Sequence, residues 1–193
     1  MRLVIATLNT HKLRELGGML AAHSLVPLPY WAVPPEETGK TFEQNAIAKA
    51  HAAAHILGIP AVADDSGIEV YALDGAPGVH SARYAGEDAT DEQNLRKLLD
   101  EMRDKESRAA AFVCSIAFVD PGGTQRAFHG RCEGRLIKEP RGSGGFGYDP
   151  VFVPADLNGD ERTMAELSQE EKDQISHRGR ALRAFVEWLP AGP

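Results

Sequence analysis

Apolar positions along the chain fall into two rhythms, short runs suited to strands and wider spacings suited to helices. Arg2 to Ala6 reads as a buried strand. The polar stretch Thr7-Leu8-Asn9-Thr10-His11-Lys12 follows, and then Leu13-Arg14-Glu15-Leu16-Gly17-Gly18-Met19-Leu20, whose apolar residues recur at helical spacing. A strand, a tight polar loop and a helix make an anion site when the N–H groups of the helix start point outward, and Lys12 lies near that start. The same residues would also serve as a plain β–α connection.

Further on, the loop Val33–Gly39 is rich in Pro and Glu, and Thr41 and Gln44 then have capping-box spacing. They predict a helix through Asn45, Ala46, Lys49, Ala50 and Ala53, stopped by Gly58 and Pro60. The apolar run from Ile59 to Ala63 predicts a strand carrying Asp64 and Asp65, although Asp64-Asp65-Ser66-Gly67 by themselves would also serve as a solvated turn after it. Thr90 and Gln93 start another helix holding Leu95, Leu98, Leu99 and Met102. Ala109–Val119 and Gln125–Ile137 read as paired strands around Pro121-Gly122-Gly123. Ser168 and Glu171 form a third capping-box pattern. On one continuous helix Lys172 and His177 would point about 140° apart, so a shared ligand requires a break near Ser176, with Ser176 capping a second helix. A hairpin within an otherwise alternating chain implies an α/β fold with a mixed sheet.

Asp64 and Asp65 are the sharpest chemical signal. Adjacent acids repel, so placing them together is favourable only with positive charge nearby. Mg²⁺, which takes one or two carboxylates and lets substrate phosphates complete its shell, would supply that charge. Gly142–Gly147 fits a dinucleotide fingerprint in spacing only, because Pro140-Arg141 precede it and Tyr148-Asp149-Pro150-Val151-Phe152-Val153 oppose a following helix. What remains is a Gly-rich loop presenting Phe146, Tyr148 and Asp149, an aromatic platform with one acceptor for a planar base. His51 and His55 have zinc-protease spacing without the required Glu, and Asp156–Glu161 is a surface loop.

The length of 193 residues fits one domain. No apolar run approaches the roughly 18–20 residues that span a bilayer. The start of the chain turns polar too soon for a signal peptide, which predicts a cytoplasmic protein with no membrane partner. Cys114 and Cys132 read as reduced, buried thiols. The net charge of −7 argues against a nucleic-acid partner and means that a phosphorylated ligand needs local Lys or Arg, a metal, or both.

Several short motifs occur in order: Thr7-x-Asn9-x-x-Lys12, Glu36-Glu37-Thr38-Gly39 before Phe42, Asn45-Ala46 with Lys49, ADDSG (63–67), GAPGVHSARYAG (75–86), GGFGYDP (144–150) and SHRG (176–179). Together they resemble the inosine triphosphate pyrophosphatase family, whose members hydrolyse non-standard purine nucleoside triphosphates. The resemblance implies a single domain over residues 1–193, its last few residues a tail. It implies two lobes around a long mixed β-sheet with flanking helices, and a nucleotide cleft between the lobes. It further implies a small-molecule substrate (ITP, dITP or XTP), Mg²⁺ as cofactor, a homodimer, and cleavage to the monophosphate and pyrophosphate.

By motif position, the resemblance makes Asp65 the base and a metal residue. Glu36, or by alignment its neighbour Glu37, is the metal-side carboxylate, and Asp64 is a supporting residue. Thr7, Leu8, Asn9, Thr10, His11 and Lys12 form a substrate loop, with Lys12 and Lys49 as phosphate contacts. Leu8 stands where many relatives have Gly, and its side chain restricts the approach of that loop to phosphate. Ser66, Phe146, Gly147, Tyr148, Asp149, Lys172, His177 and Arg178 carry over as substrate contacts. Asp65 is expected partly exposed, activating a water, while donors from His177 or Arg178, or nearby backbone N–H groups, pair with the 6-carbonyl of the base. A pyrophosphatase for pyrimidine or modified nucleotides and a nucleotide sensor without turnover are the competing readings.

Overall fold

The computed structural model describes residues 1–189; the expected C-terminal tail lies outside them. In chain order the elements are β1 (Arg2–Ile5), α1 (Thr10–Met19), β2 (Ser24–Pro27), α2 (Phe42–Leu57), β3 (Ala61–Val70), α3 (Asp91–Glu101), β4 (Ala109–Val119), β5 (Gln125–Leu136), β6 (Phe152–Pro154), α4 (Gln169–Ile175) and α5 (His177–Trp188). The strands form a six-stranded sheet in the order β2-β1-β3-β4-β5-β6. β1 runs parallel to β2 and β3, whereas β5 and β6 are antiparallel. The mixed sheet with flanking helices expected from the sequence is therefore present.

The chain divides into two compact units, neither continuous in sequence. Among the described residues the first contains 1–65, 114–130 and 178–189. β1 from Leu3 to Ile5 and β3 from Ala61 to Asp65 are buried on both faces, and successive side chains go to opposite faces. Leu3, Ile5, Val62 and Ile116 pack with Leu16 of α1, Leu20 at its C-cap, and Leu182 and Phe185 of α5. Val4, Ala6, Ala61, Ala63 and Ala117 pack on the other face against Ala46, Ala50, Ala53 and Ala54 of α2. The alanine stripe explains how a helix with charged and polar residues on its flank can lie flat on the sheet.

The second unit holds residues 66–113 and 131–177. Its core joins Ile68, Val70, Leu98, Met102, Phe112, Leu136, Phe152 and Met164. Gly67 is glycine for steric reasons: a Cβ there would run into Ser81 Oγ and lie 2.7 Å from the Gly78 carbonyl. Ser81 Oγ accepts from Ile68 N at 3.0 Å and donates to Gly78 O at 2.6 Å, while Tyr148 OH donates to the Ser81 carbonyl at 2.8 Å. The GAPGVHS segment thus ties β3 to the Gly-rich loop.

Local signals placed most helix ends well. Thr41, Thr90 and Ser168 each accept from the backbone N–H of the residue three further on. Gly58 ends α2 in the left-handed region at φ 65°. The chain breaks at Ser176, whose extended backbone (φ −66°, ψ 155°) separates α4 from α5. Asp64-Asp65-Ser66-Gly67 belong to the strand and form no turn, and the strand runs further than its apolar residues indicate. These residues continue β3 as an unbroken strand through Val70, because the two carboxylates find partners on both faces of the sheet.

Candidate active site

The register of β3 decides what each aspartate does. Val62 and Asp64 share the face covered by α1 and α5, and Ala63 and Asp65 share the face covered by α2. Asp64 is only 1% exposed. Its Oδ2 accepts from Arg178 Nε at 3.2 Å and Nη2 at 3.1 Å, and lies 3.1 Å from Lys12 Nζ. Arg178 Nη1 also donates to Glu15 on α1. Burial opposes ionisation of Asp64, but Lys12 and Arg178, with Lys49 behind them, outweigh it and hold the carboxyl well below the usual range.

On the opposite face, Asp65 Oδ2 accepts from Asn45 Nδ2 at 3.1 Å and Oδ1 from Lys49 Nζ at 2.9 Å. Lys49 Nζ also donates to Glu37 at 2.8 Å. Burial and the nearby charge of Glu37 push Asp65 upward, against Lys49 and Lys12, and the net direction is up. Lys49 is also raised, because Asp65, Asp64 and Glu37 together overcome the effect of its burial. Two carboxylates converge on one ammonium, so this pocket is short of positive charge.

One expectation needs correction. Asp65 is 4% exposed, not partly open, since α2 covers it. Glu37 is the acid that reaches Lys49 and sits within electrostatic range of Asp65, whereas Glu36 is exposed. Among the described residues no group of three or more His, Cys, Asp or Glu side chains is placed to hold a metal ion.

The loop before α1 also differs from its simplest reading. α1 begins at Thr10, earlier than the apolar spacing indicates, with Asn9 as N-cap. Asn9 Oδ1 accepts from His11 N at 2.9 Å and Lys12 N at 3.1 Å, so part of the helix start is already satisfied by the protein. Thr7 Oγ1 in turn accepts from Asn9 N at 3.2 Å. Leu8 is 56% exposed at the centre of this polar loop.

In the second unit the Gly-rich loop leads into a short 3-10 turn (Asp149–Val151) and β6, so the exclusion of a dinucleotide fold holds. Asp149 is buried, and its Oδ2 accepts from Lys172 Nζ at 2.7 Å and Phe146 N at 2.9 Å. A Cβ at Gly145 (φ 68°) would collide with that carboxylate. The Lys172 ammonium lies 5.1 Å from the centre of the Phe146 ring. His177 is buried and stacked on Phe112, with ring centres 4.8 Å apart. The structure thus brings Phe146, Asp149 and Lys172 together as one cluster. Arg178, expected as a base donor beside His177, is instead engaged by Asp64 and Glu15 in the first unit.

Glu15 and Asn45 take parts that the motif reading did not assign. Glu15 interrupts the apolar spacing of α1 as an ordinary solvated charge would, and only its partner Arg178 reveals it. Cys114, beside this cluster, has its thiol pushed up to about 12 by burial and by the charge of Asp64. Alkylating reagents at about pH 8 are therefore expected to leave Cys114 unmodified until the protein unfolds, as mass spectrometry of its peptide would report.

The fold and these clusters define an α/β protein with buried carboxylate–cation sites on a mixed sheet. The profile of the Ham1 family matches residues 3–188. A dITP/XTP pyrophosphatase of Geobacter sulfurreducens is 51% identical over 97% of this chain and 96% of its own. One from Desulfotalea psychrophila is 50% identical over 97% of this chain and 87% of its own. The solved structure of a HAM1 protein from Coxiella burnetii superposes with a TM-score of 0.86 at 42% identity, covering 97% of both chains. The chain belongs to the Ham1 family. Among its described residues no helix is long and apolar enough to cross a membrane.

Proposed function

We propose that this protein hydrolyses non-standard purine nucleoside triphosphates, of the dITP, XTP and ITP type, to the monophosphate and pyrophosphate. The observation that carries the reading is Asp65, a buried carboxylate held by Asn45 and Lys49 with Glu37 beside it. Family membership and the names borne by relatives about half identical over the whole chain support it. A water accepted by Asp65 attacks phosphorus, the anhydride bond between the α and β phosphates breaks, and the water's proton passes to the carboxylate. The electrons of the broken bond leave on pyrophosphate. Lys49, which spends two N–H donors on carboxylates, and Lys12, which spends one on Asp64, have donors to spare for that leaving group.

A triphosphate carries about −4 charge, and the protein itself is net acidic. The donor set fits Mg²⁺: hard oxygens from Asp65 and Glu37, with substrate phosphates completing the shell in place of further protein ligands. When bound, the ion would neutralise charge on the phosphates. We assign the base to Phe146, Asp149, Lys172 and His177. Hypoxanthine and xanthine offer a carbonyl where adenine offers an N–H₂ donor, so a donor aimed there leaves ATP with two donors facing each other. Assembly as a homodimer belongs to the same proposal and is read by sedimentation.

The test is incubation with ITP, XTP, GTP and ATP, with and without Mg²⁺, followed by product identification. Pyrophosphate released from ITP and XTP, about 10²-fold or more above ATP and only with the metal, is the expected result. Release of orthophosphate, or tight binding without any product, would overturn the reading.

A further inference from the structure

Phe146 lies between two glycines in the left-handed region, Gly145 at φ 68° and Gly147 at φ 60°. A ring in such a segment has no helix or sheet ladder to orient it, so its direction depends on individual contacts to the loop backbone. The peptide between Phe146 and Gly147 is held at both ends. Its carbonyl accepts from Asp149 N at 3.2 Å, and its N–H donates to Asp91 Oδ2 at 2.9 Å. The first contact is internal to the loop. The second comes from α3, more than fifty residues earlier in sequence, and ties the loop to a rigid element. Gly144 N, which donates to the Ala165 carbonyl at 2.9 Å, and Tyr148 OH, on the Ser81 carbonyl, anchor the flanks.

Asp91 is the first residue of α3, behind the Thr90 cap. An acid there is usually explained by the helix dipole, and that explanation does not require a contact to Gly147. We propose that Asp91 is a positioning residue for the base: by fixing the Phe146–Gly147 peptide it aims the Phe146 ring, and it sets KM rather than kcat. This rests on the assignment of the Gly-rich loop to the base. The contact that Asp91 makes is to the Gly147 backbone N–H, in the loop assigned to the base and not among the groups assigned to the phosphates, so removing it leaves the chemical step in place.

Asp91→Ala is expected to raise KM for ITP about 10-fold, equivalent to about 1.4 kcal/mol, with kcat within about twofold. Asp91→Ser, one bond too short to reach Gly147 N but still polar at the helix start, is expected to do the same and guards against misfolding of the alanine variant. Asp91→Asn keeps an acceptor oxygen and is expected to hold KM within about twofold of the parent. Exchange of the Gly147 amide should quicken in the Ala and Ser variants and not in the Asn variant. A fall in melting temperature with KM and Gly147 exchange unmoved would assign Asp91 to the helix dipole alone. A parent enzyme that releases no pyrophosphate from ITP would overturn the reading of the site. A parent that does, with KM unmoved in both shortened variants, would overturn the role of Asp91 only.

Discussion

Asp65→Asn will lower pyrophosphate release from ITP by about 10³-fold or more while leaving the protein folded. Under the proposed mechanism the substitution removes the charge that would accept the water's proton and one of the two carboxylates that would hold a metal, with almost no change in volume. Stability should fall only modestly, by about 1–3 kcal/mol for one buried hydrogen bond. Burial already disfavours the charged form of Asp65, as its raised pKa records, and the neutral amide avoids that penalty. Its oxygen can still accept from Lys49, but its amide group then faces Asn45 Nδ2, whose own oxygen is fixed by the bond it accepts from Gly39 N at 2.8 Å, so the second hydrogen bond is lost. Steady-state release of pyrophosphate and a thermal melt on the same preparation check both halves. Full turnover in a folded Asp65→Asn protein would remove this residue from the mechanism.

Arg178→Met carries the largest expected loss of stability, about 3–5 kcal/mol, because it leaves Asp64 and Glu15 buried without their shared guanidinium. For a domain of this size that corresponds to a drop of roughly 6–20 °C in melting temperature. The pH dependence has a definite sign. In the parent, Asp64 titrates below its unfolded value of 3.8, so its contribution is present above that value and fades as pH falls through it. In the variant, burial acts against Lys12 with one main cation removed, and the folded pKa rises. The stability gap between parent and variant should then narrow as acid neutralises the stranded carboxylates. Urea unfolding at neutral pH and near pH 4 measures this. Adding Asp64→Asn to Arg178→Met should recover part of the loss, whereas no recovery would point to lost packing by the Arg178 stem.

Much of the scaffold was legible because its signals are local. The strand at Arg2, the caps at Thr41, Thr90 and Ser168, the stop at Gly58 and the hairpin around Pro121-Gly122-Gly123 depend on residues a few positions apart. The break at Ser176 followed from helix geometry together with the premise that Lys172 and His177 serve one ligand. What was not legible depends on distant partners. Asp64-Asp65 imitates the polar end of a strand, and only Arg178, over a hundred residues later, together with Lys49 and Asn45, makes a buried strand tolerable there. Glu37 and Glu36 are neighbours in a loop without periodicity, so nothing in the sequence says which one faces Lys49. Arg178 follows His177 directly, which suggested a common task. The ion cluster with Glu15 separates them.

The alternation along β3 makes parity a chemical property of this chain. A point substitution in the strand alters one side chain, but gaining or losing a residue upstream of Ala63 would exchange the surroundings of the two acids at one stroke. The acid meant for Asn45 and Lys49 would face Arg178 and Glu15, and the other would face the alanine stripe of α2. The short Gly58–Pro60 connection before β3 therefore acts as a phase setter: length changes there should be far less tolerated than in loops whose following strand has one solvated face.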